Sequence, residues 1–308
     1  MWLVFTVDLL DVDRVEVLRG PQGTLFGRNS VGGAVALYSK KPTENFEGYV
    51  DATIGTDSLA KLKVSVNGAL ADNLFGNFSA LNATQDGYVS RPAGGDLGDD
   101  DILALRGSLL WEAADDVEVS LILDHSTENE NGPAFEISDA GTLVDGSFAA
   151  FYNNVLQAET CGYPAGISST DPICYNNQYA TEGENLGTAP TYSDTTAWGA
   201  NLQVTWDIND NLQLKSITAY RDLDAEFARD ADASPLTVVH FYDSFEASQF
   251  TQEIQLMGST EDGKLNWITG LYYFDEEGNN RNINDFAIAN FDSDNDFTTT
   301  SSAIYAQA

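Results

Sequence analysis

The chain reads as an all-β protein, an antiparallel transmembrane β-barrel of which about ten strands are present. Three observations predict this. From Phe46 onward, apolar and polar residues alternate in segments of about ten residues, the length a tilted strand needs to cross a bilayer. Short turns alternate with long excursions between those segments. No run of eighteen apolar residues occurs, so no helix of this sequence is expected to span a membrane.

The alternation is clearest in five segments. Phe46, Gly48, Val50, Ala52 and Ile54 share one face, opposite Glu47, Tyr49, Asp51 and Thr53. Leu62, Val64 and Val66 alternate with Lys61, Lys63, Ser65 and Asn67. Val117, Val119, Leu121 and Leu123 stand against Glu118, Ser120, Ile122 and Asp124. Trp198, Ala200, Leu202, Val204 and Trp206 stand against Gly199, Asn201, Gln203 and Thr205, and Phe250, Ile254 and Leu256 against Thr251, Glu253 and Gln255. A period of two denotes a strand with two unlike faces. Leu271-Tyr272-Tyr273-Phe274 is apolar on both.

Strands are expected over 46–55, 59–69, 74–86, 101–112, 116–127, 193–207, 211–224, 245–257, 264–277 and 297–307. Every second connection is short: Ala71-Asp72-Asn73, Ala113-Ala114-Asp115, Asn209-Asp210 and Thr260-Glu261-Asp262-Gly263. The intervening ones include long excursions at 87–100, 128–192, 225–244 and 278–296, with only Thr56-Asp57-Ser58 brief. Such parity is that of an outer-membrane barrel, with turns on one rim and loops on the other, whereas a β-sandwich mixes its turn lengths. Trp111, Trp206 and Trp267 fall near strand ends, where an interfacial girdle would place them, although buried Trp is common in soluble cores too.

Lys and Arg total 14 against 48 Asp and Glu, a formal charge of −34, so nucleic acid is not an expected partner. Hydrophobic residues make up 43% of the chain, and the acids crowd the turns and loops rather than forming a tail. That distribution suits loops in water and strands facing something else, or serves solubility alone.

Before the alternating region lies Val15-Glu16-Val17-Leu18-Arg19-Gly20-Pro21-Gln22-Gly23-Thr24-Leu25-Phe26-Gly27-Arg28, continuing to Gly32-Gly33-Ala34-Val35 and Ser39-Lys40-Lys41-Pro42. Five glycines and a proline fall within fourteen residues, a composition for tight folding rather than a linker. A P-loop would need Gly-Lys followed by Ser or Thr, and the chain has Gly27-Arg28-Asn29-Ser30. A dinucleotide fingerprint would open a helix, yet Ala34-Val35-Ala36-Leu37-Tyr38 reads as a strand.

This segment resembles the end of the plug domain of TonB-dependent receptors, in which a strand like "VEVLRGP" leads through "GTLFGR" and "GGAV" to a lysine-proline exit. Phe250–Leu256, Lys264–Tyr273 and Ser301–Gln307 likewise resemble barrel strands of that family. The resemblance implies residues 1–42 as the C-terminal part of a plug and 43–308 as the N-terminal part of a barrel of about 22 strands. It also implies a Gram-negative outer-membrane location, surrounding lipid, and TonB as energy-coupling partner through a segment missing here. Active uptake of a scarce nutrient follows, most commonly a ferric siderophore, sometimes cobalamin or an oligosaccharide. Met1–Leu10 lacks a basic region and a small-residue cleavage site and carries Asp8, so it does not read as a signal peptide. The expectation is a fragment that begins inside the plug. A passive porin-like channel and a secreted soluble β-rich domain, carbohydrate-binding or hydrolytic, are the alternative readings.

By the same resemblance, Arg19 and Arg28 are candidates to lock the plug, with Glu253 as an inward-facing partner on the wall, while Glu16 is the rival partner for Arg19. Gly20, Gly23, Gly27, Gly32 and Gly33 are the expected hinge glycines. Cys161 and Cys174, with twelve residues between them in the longest loop, are expected to form a disulfide in an exported protein.

No cofactor is expected. No metal is expected either, because His125 and His240 are isolated in sequence and no His flanks the cysteines. Asp292-Ser293-Asp294-Asn295-Asp296 lacks the Gly and Glu of a calcium loop and reads as solvated acidic loop, as does Asp99-Asp100-Asp101. Phe148, Phe151, Tyr152, Tyr163, Tyr175 and Tyr179 could stack on a ligand or pack the loop on itself. No Gly-x-Ser-x-Gly elbow or His-Glu-x-x-His pair is present, so no enzyme is expected.

Overall fold

A computed structural model describes residues 10–20, 32–140, 148–162, 169–260 and 264–308. Two strands, β1 (Val12–Arg19) and β2 (Gly33–Ser39), pair antiparallel as a separate hairpin. The rest is one ten-stranded meander, each strand hydrogen-bonded to the next in chain order. Its members are β3 (Glu47–Ile54), β4 (Ala60–Ala71), β5 (Leu74–Gln85), β6 (Asp100–Ala114) and β7 (Val117–Glu130). They continue with β8 (Tyr192–Asn209), β9 (Leu212–Asp230), β10 (Val239–Ser259), β11 (Asn266–Phe286) and β12 (Ala289–Gln307). Every pair is antiparallel, so the sheet needs only hairpin connections.

The register assigns the two faces as the alternation predicts. Ile54, Leu62, Leu123, Trp198, Ile254, Leu271 and Ile304 all point to the outer face, where Ile54 is 88% and Ile304 82% exposed. On the inner face the buried side chains include Ser65, Asn77, Ser79 and Ser108, with Ser79 Oγ donating to Ser65 Oγ at 2.9 Å. A water-facing sheet would show the reverse. An apolar jacket of this extent requires lipid, because soluble surfaces rarely carry contiguous apolar patches above a few hundred Å². Trp111, Trp206 and Trp267 pair with Leu74, Val117 and Gly258, all beside the short-turn rim.

Two of the expected excursions are not loops. Strands β9 and β10 run to Asp230 and from Val239, so the 225–244 loop contracts to the turn 231–238. The 278–296 loop is replaced by continuous β11 and β12, joined through Ala287 and Ile288 alone. The acidic run Asp292–Asp296 therefore lies on a strand, and Asp100 and Asp101 open β6. The excursion 128–192 shortens to 131–191 and carries short helical segments, including Ala158–Cys161 and Asn177–Tyr179.

Length explains the correction. A strand of 21 residues such as β11 is roughly 65–70 Å long at about 3.3 Å per residue, while a 30 Å core crossed at about 45° takes only ~42 Å. The surplus stands in water, where both faces are wet and the period-two signal disappears. Side-chain ladders hold it instead: Arg281 donates twice to Asp292, at 3.1 and 2.8 Å, and Asn279 Nδ2 donates to Asp294 and Asp296 at 2.7 and 2.9 Å.

Candidate functional site

Apolar-out, polar-in construction leaves a wet inner face, and the β1–β2 hairpin is seated on it. Leu10, 4% exposed, packs with Leu81 and Ala104 of the wall. Arg106 reaches in from β6 and donates through Nη1 to the Leu10 carbonyl at 3.0 Å and to Ser39 Oγ at 2.9 Å. It thus grips the hairpin at the start of β1 and the end of β2 together. Lys41 pairs with Glu118 of β7 at 3.2 Å, an exposed contact of small energetic weight. Asn67 of β4 receives the Thr43 amide at 3.0 Å and donates to Thr43 Oγ1 at 2.8 Å. A cavity of about 850 Å³ remains between hairpin and wall, lined by Asp11, Arg14, Lys40, Lys41, Tyr49 and Lys215 among others.

Charge is sorted within this chamber. The wall residues Lys61, Lys63, Arg106, Lys215 and Arg221 all take inward positions in the register. Asp11, 3% exposed, faces some of that charge. Burial pushes its carboxyl above the usual aspartate range, against the pull of Lys40, Arg106 and Lys63. Its Oδ1 has no hydrogen-bond partner, and its backbone sits at φ 55°, a region Asn tolerates well. A carboxyl raised in the folded state keeps its proton there, so the hairpin's hold weakens as pH climbs from the ordinary aspartate value to the folded one, and is flat above. Asp11→Asn is expected to remove that dependence and to strengthen docking at neutral pH. The ratio of amide-exchange protection in Val12–Arg19 between variant and parent, followed from pH 4 upward, measures it.

Gly33 is constrained by close approach. Its φ is 143°, and a Cβ there would lie 2.4 Å from the Leu18 carbonyl oxygen, a backbone atom that cannot turn aside. Gly33→Ala is expected to cost the hairpin at least ~2 kcal/mol, read as lost amide protection of Leu18 and Arg19. Gly20, at φ 85°, has open space around its Cβ position, as does Gly32. Gly23, Gly27 and Arg28 lie outside the described residues.

The other expected lock members stand as follows. Arg19 is exposed at the end of β1. Glu253 does face inward, and it is held by its own wall: Tyr305 donates its hydroxyl to Oε1, and Gln255 Nε2 donates at 2.9 Å. Glu16 hydrogen-bonds Arg14 at 2.7 Å. Sequence reasoning missed Arg106. Its one available signal was a cation at an inward position of a strand whose neighbouring inward residues are small or apolar.

On the far side, the loops make a cap with its own core. Cys161 and Cys174 are bonded and fully buried, as the sequence leads one to expect. Asn153 is also fully buried, receiving the Tyr175 amide at 2.9 Å. Ser90 bridges to Glu184, and its carbonyl receives the Asn185 amide at 2.8 Å, joining the 86–99 loop to the long one. Tyr175 donates its hydroxyl to the Asp232 carbonyl at 3.0 Å, and the Ala189 amide donates to Asp230 Oδ2 at 2.9 Å, joining both to the 231–238 turn. Burial, with Asp232 and Asp230 nearby, pushes the Tyr175 phenol up to about 12, so it stays a donor. Tyr152 and Tyr179 are buried and Tyr175 is half-buried, so these three tyrosines pack the loop, while Phe151 is exposed. Tyr163 and the Phe148 side chain lie outside the described residues. His240, isolated in sequence, lies 3.5 Å from Asp232 and 3.8 Å from Asp230.

A jacketed antiparallel wall with a hairpin seated on its wet inner face is the architecture of a plugged outer-membrane barrel. Residues 4–34 match the family model described as TonB-dependent Receptor Plug Domain. The family model thus agrees with the resemblance read from residues 15–42 over the segment it covers. The pesticin receptor of Yersinia enterocolitica is 33% identical over 102 residues, covering 33% of this chain and 15% of that one. The ferrioxamine B receptor of Salmonella typhimurium is 28% identical over 155 residues, 50% of this chain and 21% of that one. Among solved structures, the ferric yersiniabactin uptake receptor of Yersinia pestis superposes with a TM-score of 0.70 at 19% identity, covering 97% of this chain and 41% of that one. The chain thus spans well under half the length of the relatives it matches.

Proposed function

We propose that this chain serves in active, TonB-dependent uptake of a ferric siderophore across a Gram-negative outer membrane. One observation carries the reading: a folded hairpin occupies the polar interior of the wall, which a passive pore has no use for. Residues 1–42 act as the end of the plug and 43–308 as wall and loops. Arg106, with Arg19 and Arg28 toward Glu253, holds the plug until TonB pulls on it. The inward lysines and arginines suit a polyanionic chelate. The relatives named for ferrioxamine B and ferric yersiniabactin support the ligand class. The role is transport rather than catalysis.

The outward exposure of Ile54, Leu271 and Ile304 argues against the soluble alternative. Uptake of radiolabelled iron by the intact receptor, given hydroxamate, catecholate and phenolate chelates in cells with and without TonB, tests the proposal. Import of one chelate class that vanishes without TonB is the expected result. Equal import in both strains would leave a passive channel as the better account.

A further inference from the structure

We infer that Asp230, Asp232 and His240 form a Zn²⁺ site that fastens the loop cap to the β9–β10 ribbon. Asp230 closes β9 and is the direct cross-strand partner of His240 in β10, while Asp232 lies in the turn between them. The three are 0%, 4% and 7% exposed, and one ligand atom from each lies within 4.8 Å of the others. His240 Nε2 is shut off from solvent and meets no well-formed hydrogen-bond geometry, lying instead at ion-pair distance between two carboxylates. A buried imidazole nitrogen left in that condition calls for a partner.

Spacing and donor type name the partner. Ligand atoms on a tetrahedral Zn²⁺ with bonds of about 2.0–2.2 Å sit roughly 3.3–3.6 Å apart. The observed separations of 3.5 Å to Asp232 Oδ2 and 3.8 Å to Asp230 Oδ1 need only a small contraction. Ca²⁺ would ask for six or more oxygens, whereas an imidazole with two carboxylates suits Zn²⁺ and leaves a fourth position for water. Backbone amides fix both carboxylates, on the oxygens that face His240 (Asp230 Oδ1 from Ala233, Asp232 Oδ2 from Val238 and Val239) as well as on the other two, from Ala189 and Ser234. Because Ala189 belongs to the disulfide-bearing loop, a metal here would pin that loop and the turn in one step.

The test is calorimetric titration of the full chain, folded in detergent, with ZnCl₂ in excess CaCl₂ to occupy exposed acids. One saturable equivalent is expected. His240→Gln should weaken it at least ~30-fold, and Asp294→Asn, remote from the site, should leave it unchanged. Zinc-edge X-ray absorption on the unaltered protein should show one imidazole among oxygen ligands, a readout that stands even if His240→Gln misfolds. Binding without saturation at one equivalent, indifference to His240→Gln, or an all-oxygen spectrum would each overturn the site and leave a metal-free ion-paired turn.

Discussion

Arg106→Met is expected to release the β1–β2 hairpin from the wall by about 2–3 kcal/mol, the value of a charge-assisted hydrogen bond lost with its acceptors left in place. Two acceptors are involved, the Leu10 carbonyl and Ser39 Oγ, which lie together at the open end of the hairpin where Val12 pairs with Ser39. Methionine keeps the volume and removes the fork, so Leu81 and Ala104 still cover Leu10. Amide exchange across Val12–Arg19 and Gly33–Ser39 should quicken by roughly 30- to 150-fold, with the wall strands unchanged. A double-mutant cycle with Ser39→Ala separates the hydroxyl's share from the carbonyl's. Should the hairpin keep its full protection, the grip lies elsewhere, and Arg106 is a bystander. In the intact receptor, the loosened plug should leak small antibiotics through the outer membrane without TonB.

Replacing Cys161 and Cys174 together by Ala is expected to destabilise the loop cap by about 3 kcal/mol on the chain-entropy estimate for a ring of this size. The local effect is larger than the global one. Both sulfurs are fully buried against a loop whose other anchors are Asn153, Tyr175 and the Ala189–Asp230 contact, so the loop should open as a unit. Limited proteolysis between 131 and 191 reads this directly, with and without reductant on the parent protein. The β-barrel spectrum should not change, because the ladders from β3 to β12 do not pass through the disulfide. If reduction leaves the loop as resistant as before, its hydrogen bonds alone suffice.

Both results bear on what was legible in the sequence. Period two identified the faces of β3, β4, β7, β8 and β10 correctly, because lipid on one side and water on the other select different residues at every step. The same logic failed over 225–244 and 278–296, where the ribbon leaves the bilayer and both faces are wet. Asn279, Arg281, Asp292 and Asp294 stay extended there through cross-strand hydrogen bonds, which carry no hydrophobic rhythm. The glycine-rich segment raised the expectation of a plug, and Gly20 and Gly33, described at its two flanks, adopt positive φ.

The sequence by itself determined the class of fold and the inward and outward faces, because both are written in near-neighbour spacing, and it raised the Cys161–Cys174 bond and the plug segment as expectations. Only the tertiary structure decided which wall residue grips the hairpin, and that His240 meets Asp230 and Asp232. Arg106 and Leu10 are 96 residues apart, with β1 to β5 between them, and His240 gains its surroundings when a loop from before β8 folds across the β9–β10 turn. Contacts of that kind follow from register and loop closure, and no local pattern records them.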